Sequence, residues 1–286
     1  FSTLDKRKKY CEKEIELNKR FTDGIYLDLI PINRVNDHYR IGGNAGTVID
    51  YAVKMLKMDR TKQMDQLLVQ NKVTKSNIQN LAKKIACFHQ NTAIIEEKDV
   101  LDIQEKFNDL EGEKEYLTAQ PNGGMYASII RNAIKTSDDF LKRNKDLLLA
   151  RLRADFFRDC HGDLHSRNIF LLPSPQPFDC IEFNDDYRQI DVLNEVAFLC
   201  MDLDAFGKKD LSELFLECYN QFFPSLTSSK EYQLFLFYKA YRANVRAKVN
   251  SLRAKSAVNK KERTKALSEV DKYLLLMESY LKTLSL

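Results

Sequence analysis

Cys160-His161-Gly162-Asp163-Leu164-His165-Ser166-Arg167-Asn168-Ile169-Phe170-Leu171-Leu172 is the stretch on which the reading of this chain turns. Asp163 stands five residues ahead of Asn168, with His161 and His165 beside it and Gly162 permitting a tight loop. The apolar run at 169–172 predicts a short strand leaving the loop. Pro173, Pro175 and Pro177 mark a turn, and residues 178–183 predict the returning strand. That hairpin is expected to carry Glu182 back beside Asn168, so that a carboxylate and an amide oxygen face one metal ion. Glutamate is one methylene longer than aspartate, and magnesium demands near-octahedral geometry, so Asp185 is a substitute ligand.

The spacing His-x-Asp-x-x-x-x-Asn is that of the catalytic loop in kinase-like phosphotransferases. There a carboxylate accepts the proton of the attacking hydroxyl, and the amide oxygen holds magnesium on the phosphates. The roles that follow are Asp163 as base or hydroxyl-orienting group, and Asn168 and Glu182 as magnesium ligands, with Asp185 in reserve. His161 and His165 are expected to shape the loop by hydrogen bonds. Arg167 reads equally well as a neutraliser of the moving phosphoryl group and as one half of a structural ion pair.

His161-Gly162-Asp163-Leu164-His165, followed by Asn168-Ile169, resembles the aminoglycoside phosphotransferase branch of the kinase-like superfamily. More narrowly, the chain resembles the phosphotransferase-like domain of the bifunctional aminoglycoside phosphotransferase/ATP-binding protein group. The matching stretches are Phe1-Ser2-Thr3-Leu4, Cys11-Glu12-Lys13-Glu14-Ile15-Glu16-Leu17-Asn18, Tyr51-Ala52-Val53-Lys54-Met55, Ile181-Glu182-Phe183-Asn184-Asp185 and the run from Asp191 to Asp204. The resemblance spans nearly the whole chain. It implies an α+β, two-lobed protein-kinase-like fold, with a truncated small β lobe at 1–56 and a mainly helical lobe with the catalytic loop at 57–286. It also implies ATP and Mg2+ as cofactors. The first helix is then the αC helix, and Glu14 takes the role of the glutamate that pairs with the phosphate-binding lysine. The chain departs from the kinase pattern at Asp-Phe-Gly, where it carries Glu182-Phe183-Asn184. Family members with a second ATP-binding domain bear a Walker A loop, and no Gly-Lys-Ser/Thr ending occurs here.

Ahead of the loop, Ser2 or Thr3 caps a predicted helix at 4–21. Strands are predicted at 25–33, 38–41 and 48–55. Gly42-Gly43-Asn44-Ala45-Gly46 reads as a hairpin turn between the last two, because glycine and asparagine suit such turns. Tyr51-Ala52-Val53-Lys54 invites comparison with the lysine strand of kinases. However, no glutamate lies between Lys54 and Glu96, whereas several precede Lys54. Lys54 is therefore placed on the strand entering the hinge, with Met55, Leu56 and Lys57 running beside the adenine. The phosphate-binding lysine and the nucleotide-covering glycine loop are then expected upstream of Phe1, and residues 1–286 alone to bind ATP weakly.

Beyond the hinge the pattern is helical. Met64, Leu67 and Leu68 share one helical spacing, and Leu81, Ile85 and Phe88 another, with His89 as a structural histidine. Further helices are predicted at 101–117, at 126–157 with a break near Thr136-Ser137-Asp138, and from Asp191 to Leu203. Val192, Val196, Leu199 and Leu203 mark the buried face of the last. Asp191 is a cap or a buried orienting carboxylate, and Arg188 a partner for it or for Glu195. Helices at 211–222, 230–255 and 260–284 complete the chain.

Composition limits the alternatives. Hydrophobic content of 44% and charged content of 30% fit a soluble globular chain of 286 residues. No run is long enough for a membrane span, and the opening residues do not read as a signal peptide. Six cysteines without a Cys-x-x-Cys pair fit buried small hydrophobes in a reducing, cytoplasmic setting. A net charge of +4 is mild, and the basic C-terminal helix lacks interleaved exposed aromatics, so a nucleic-acid partner is not expected. Lys239, Arg242, Arg246, Lys248, Arg253 and Lys255 form either a solvated basic face or a pocket wall. In the second case the acceptor is a neutral or anionic small molecule with a hydroxyl. The reading from a different class is a catalytically silent pseudokinase or nucleotide-binding regulatory module.

Overall fold

The computed structural model describes residues 2–284. Phe1, at the head of the expected small lobe, and Ser285 and Leu286, at the end of the large one, lie outside the described residues. Thr3 caps helix α1 (Leu4–Lys19), its hydroxyl accepting from the Lys6 N–H at 3.3 Å. Strands β1 (Tyr26–Val35), β2 (His38–Ile41) and β3 (Thr47–Met55) follow, as an antiparallel sheet in the order β2-β1-β3. α1 lies against β3 and β1. The glycine-rich segment at 42–46 is therefore not a hairpin turn. Both flanking strands pair with β1 and not with each other, so the segment crosses from one edge of the sheet to the other. Asn33 donates to the Gly42 and Gly43 carbonyls at 3.3 and 3.1 Å. A Cβ on Gly46, at φ +85°, would fall 2.2 Å from the Arg34 carbonyl oxygen, which is why glycine is needed there.

The rest is mainly helical: α2 (Met64–Val69), α3 (Lys75–Asn91), α4 (Asp102–Asn108), α5 (Lys114–Thr118), α6 (Gly123–Arg153), α7 (Val192–Ala205), α8 (Lys209–Phe222), α9 (Ser229–Lys255) and α10 (Lys260–Leu284). Thr74 and Asn77 close a capping box at the start of α3. The helix expected at 101–117 is two helices joined by a 3-10 turn. The break expected near Thr136-Ser137-Asp138 is absent. Asp138 accepts from Gln104 at 2.8 Å and from Asn108 at 3.1 Å, so its carboxylate ties α6 to α4 and caps nothing. Four short strands frame the loop that the sequence singles out. They are β4 (Phe157–Asp159), β5 (Ile169–Phe170), β6 (Gln176–Pro177) and β7 (Gln189–Asp191), paired β4 with β7 and β5 with β6. Phe157 begins a strand where the sequence suggested a helix end.

α7 is the centre of this part. All of Val192 through Leu203 is buried, not only the predicted face, because α8 and α9 pack on it and the segment at 166–168 closes another side. Asp191 fills both roles considered for it. It caps α7 through Leu193 N–H at 2.9 Å, and it receives the buried Arg151 guanidinium at 2.6 and 2.9 Å. Arg188 pairs with neither Asp191 nor Glu195. It bonds Asp159 on the neighbouring strand β4 and Asp185 in the turn that precedes it. The main hydrophobic core draws only on residues from Met64 onward. A separate small cluster of Leu17, Phe21 and Cys180, with Phe88 against it, joins α1 to the helical part. Among the described residues no helix is long and apolar enough to cross a membrane.

Candidate active site

The loop at 160–168 is held from beneath by Glu195 of α7. Its carboxylate accepts from the backbone N–H of His161 at 3.0 Å, from that of Gly162 at 2.6 Å, and meets His89 Nε2 at 3.0 Å. These bonds outweigh the cost of burial and keep Glu195 ionised, well below the usual glutamate range. His89, Cys160 and Glu195 have ligand atoms within 4.8 Å of one another. The carboxylate is already occupied by three N–H donors, so the cluster serves structure. Gly162 has φ +87°, and a Cβ there would lie 2.9 Å from the Tyr187 carbonyl oxygen. Arg242 fixes the same glycine from α9, donating to its carbonyl at 3.1 Å and to Asn194 Oδ1 at 2.7 Å.

His161 and His165 do shape the loop. His161 Nε2 donates to the Phe178 carbonyl at 3.0 Å, and its Nδ1 accepts from Asp163 N–H at 3.3 Å. Burial holds this imidazole below its ordinary pKa, hence neutral. His165 Nδ1 accepts from Arg167 N–H at 3.2 Å, which turns Nε2 towards Asp163 Oδ2 at 3.4 Å. Asn168 Nδ2 donates to Asp163 Oδ2 at 2.9 Å and to its carbonyl at 3.1 Å. Asp163 and Asn168 are thus brought together, and the Asn168 amide oxygen is left as the end able to meet a cation. Desolvation alone would raise the Asp163 carboxyl. The His165 contact and the Arg246 charge outweigh it and hold the group well below the usual carboxylate range.

The expected second carboxylate is displaced by the hairpin register. β5 and β6 pair Ile169 with Pro177, and Phe178 N–H donates to the Asn168 carbonyl at 2.9 Å. The residue across from Asn168 is therefore Phe178, and the carboxylate that follows it is Asp179, not Glu182. Asp179 has φ +65°, and its N–H donates to Tyr26 Oη of β1 at 3.2 Å. Asn18 of α1 steadies the next residue, accepting from Cys180 N–H at 2.9 Å. Burial and the nearby Asp163 push the Asp179 carboxyl up. Among the described residues it has no hydrogen bond or ion pair. Glu182 lies instead towards α1, where burial and Asp179 push it up. Glu14 joins it there; burial, Glu182 and Asp179 raise its pKa to about 7. Asp185 is not part of this group. Lys13 reaches its Oδ1 at 2.5 Å and Arg188 the same oxygen at 2.8 Å, so the carboxylate already serves two cations. Arg167 stands 4.0 Å from Asp65, part exposed.

Two cavities meet this centre. The larger, about 1560 Å³, is lined by Met55, Leu56, Lys57 and Ile25 on one side and by Phe170 and Phe178 on the other. The two phenyl rings lie 4.9 Å apart, and Leu56 N–H donates to the Ile25 carbonyl at 2.8 Å. The smaller, about 380 Å³, reaches Gly162 and Asp163 from the side of α4 and α9. The basic stretch of α9 is split: Lys239, Arg242 and Arg246 are buried, Lys248 is half-buried, and Arg253 and Lys255 are exposed. Arg242 lies over the Phe198 ring and Arg246 over that of Tyr273. Sequence reasoning missed Asp179, Glu195 and Phe170. Asp179 had one signal, its place at the foot of the returning strand; Glu195 and Phe170 stand out only once the elements are packed.

No protein-family model matches the chain. Over 261 residues it is 29% identical to uncharacterized proteins of Mycobacterium tuberculosis and Mycobacterium bovis, covering 88% of this chain and 49% of theirs. The chain spans about half the length of the curated relatives it matches. Among solved structures it resembles a choline kinase from Cryptosporidium parvum Iowa II, with a TM-score of 0.53 and 10% identity over 82% of this chain and 73% of that one. A Plasmodium vivax ethanolamine kinase aligns with a TM-score of 0.48 at 10% identity, over 94% of this chain and 72% of that one. The likeness to the choline kinase is one of fold: a small sheet with its helix beside a larger helical part, the protein-kinase-like architecture of small-molecule kinases.

Proposed function

We propose that this chain is an ATP- and magnesium-dependent phosphotransferase that moves the γ-phosphoryl group to a hydroxyl of a small molecule. Within the kinase-like superfamily we place it nearest the bifunctional aminoglycoside phosphotransferase/ATP-binding protein group, and we set the boundary between its two lobes at residue 56. The observation that carries the reading is Asp163, fixed by Asn168 at 2.9 Å on a loop clamped by Glu195, at the edge of a cavity fit for an acceptor. The adenine would rest at the hinge between Met55 to Lys57 and the Phe170 floor.

The acceptor hydroxyl approaches Asp163 at Oδ1, since Oδ2 is taken by Asn168 and His165. As its oxygen bonds to the γ-phosphorus, the bond from that phosphorus to the bridging oxygen breaks. ADP departs, and the hydroxyl proton passes to Asp163. A carboxylate held at low pKa is a weak base, so its larger contribution is to orient the hydroxyl. A magnesium ion fits the residues present. Among the described residues the Asn168 amide oxygen and the Asp179 carboxylate have no partner, and three carboxylates, Glu14, Asp179 and Glu182, repel one another. Asn168 and Asp179 would hold the ion, with Glu182 in support. When bound, it would neutralise charge on the phosphate oxygens. Asp185, ion-paired twice, is left out of the set.

A second reading is a nucleotide-binding regulatory module without turnover. It is favoured by Glu14, which among the described residues has no lysine or arginine partner. Transfer of label from γ-labelled ATP, followed in the full-length protein with wild type and Asp163→Asn, separates the two. Wild-type turnover that falls about 10²–10⁴-fold in the variant, with Mg·ATP affinity kept, is expected. Absence of wild-type turnover supports the module, and full activity in the variant removes Asp163 from the mechanism.

A further inference from the structure

We propose that the cavity beside Asp163 receives an uncharged alcohol with an apolar or aromatic face, of monosaccharide-to-nucleoside size. This rests on the phosphotransferase reading and narrows its acceptor. A volume of about 380 Å³ suits a small organic ligand. The walls carry Asp102, Asp109 and Asp186, and against them Lys106, Lys248 and Arg242. The carboxylates and lysines among these are already ion-paired, and Arg242 is engaged by neutral acceptors. Lys106 lies 2.6 Å from Asp102, and Lys98 bridges Asp102 at 3.0 Å and Asp186 at 3.2 Å. Lys248 is ion-paired with Asp109. Arg242 is directed at the Gly162 carbonyl and Asn194. A cationic acceptor would have to displace a lysine from its carboxylate, and an anionic one would have to displace a carboxylate from its lysine or draw Arg242 away from the Gly162 carbonyl and Asn194 that it holds. Asp163, which meets the reacting hydroxyl, is the remaining wall carboxylate.

The aromatic walls agree. A ring face attracts cations, and here protein cations already cover them. Lys106 stands 5.5 Å from the centroid of Tyr187, and Arg242 5.5 Å from that of Tyr241. What is left is apolar: Ile181, Val245, Val249, Leu252 and the half-exposed Phe183, edge-on to Tyr187. Asn244 adds one demand. It lines the cavity at 1% exposure, donates from Nδ2 to the Phe107 carbonyl at 3.0 Å, and keeps a buried Oδ1 with no partner among the described residues. A second hydroxyl or an N–H on the ligand would satisfy that oxygen.

Calorimetric titration tests this with phenyl β-D-glucopyranoside and uridine as neutral probes, choline and kanamycin as cationic ones, and glucose 6-phosphate as the anionic one. A neutral probe is expected to bind with a Kd about tenfold or more below that of any charged probe. Val249→Trp, which fills the cavity, should abolish this binding, and Asn244→Leu should weaken it about tenfold. Melting curves check that both variants fold, and Mg·ATP is titrated separately into each. Tighter binding of a charged probe overturns the proposal. So does neutral-probe binding unchanged in both variants, or no saturable binding by either neutral probe. A full-length protein that binds a neutral probe but not Mg·ATP upholds the selectivity of the cavity and refutes the phosphotransferase reading.

Discussion

Replacing Glu195 should disable the site without touching any group that meets a ligand. Its two oxygens hold His161 N–H at 3.0 Å, Gly162 N–H at 2.6 Å and His89 Nε2 at 3.0 Å, all in the buried interior. Hydrogen bonds to a charged group contribute about 1.5–3 kcal/mol each, and a buried donor left unpaired costs about 1–3 kcal/mol. Glu195→Gln keeps one acceptor oxygen but sets an NH2 against a donor, so a loss of about 2–3 kcal/mol is expected. In a chain of this size that is a fall in Tm of about 4–12 °C. Glu195→Ala removes all three partners and should approach about 4–6 kcal/mol, a large share of a typical domain's stability. The same carboxylate sets an acid limb. Its native pKa is depressed, so below the ordinary glutamate value of 4.5 the unfolded chain takes up the proton first and stability drops as pH falls further. The Gln variant should lack that part of the drop. Thermal melts by circular dichroism between pH 7 and pH 3, with amide exchange at His161 and Gly162, measure both effects. A Gln variant with wild-type Tm and unchanged exchange at these amides would show that the loop does not depend on Glu195.

Asp179→Asn should weaken Mg·ATP binding by about tenfold or more while Asp185→Asn changes it little, by calorimetry at fixed magnesium; the reverse order would return the metal site to the position the sequence suggested. Burial beside Glu182 and Asp179 lifts the Glu14 pKa from 4.5 to about 7, so the folded chain keeps a proton that the unfolded chain has lost, and stability falls as pH rises across that window. Glu14→Gln should therefore raise stability at pH 8 by about 1 kcal/mol, after allowing for partial solvent screening, and leave pH 4 unchanged; equal melting temperatures at pH 8 would contradict this. Asp191→Ala takes two bonds from the buried Arg151 guanidinium, which keeps Glu231 and the Ser225 carbonyl, and should cost about 2–4 kcal/mol in urea unfolding, with a small effect telling against the pair as a central tie.

The order of elements and the chemistry of the loop could be read from the chain because both are local. His161, Asp163 and Asn168 lie within eight residues, and helical spacing with its caps is a nearest-turn property. The two-part α+β fold followed from the same patterns and from resemblance. What the chain did not reveal depends on which segments meet. Whether Asp179 or Glu182 stands next to Asn168 turns on the register of a two-residue ladder, and a shift of one pair changes which side chain faces the metal position. The crossing of residues 42–46 over the sheet depends on β1 taking both neighbours, which no local turn signal encodes. Arg242 and Arg246 read as either a solvated face or a pocket wall because sequence spacing reports a shared face, not what packs on it. Packing supplied the Gly162 carbonyl and Asn194 for one, and the Tyr273 ring for the other. Glu195 looked like one more acid on a helix. Only the tertiary structure sets its carboxylate beneath two backbone N–H groups 33 and 34 residues earlier, and a buried charge persists only where such donors converge on it.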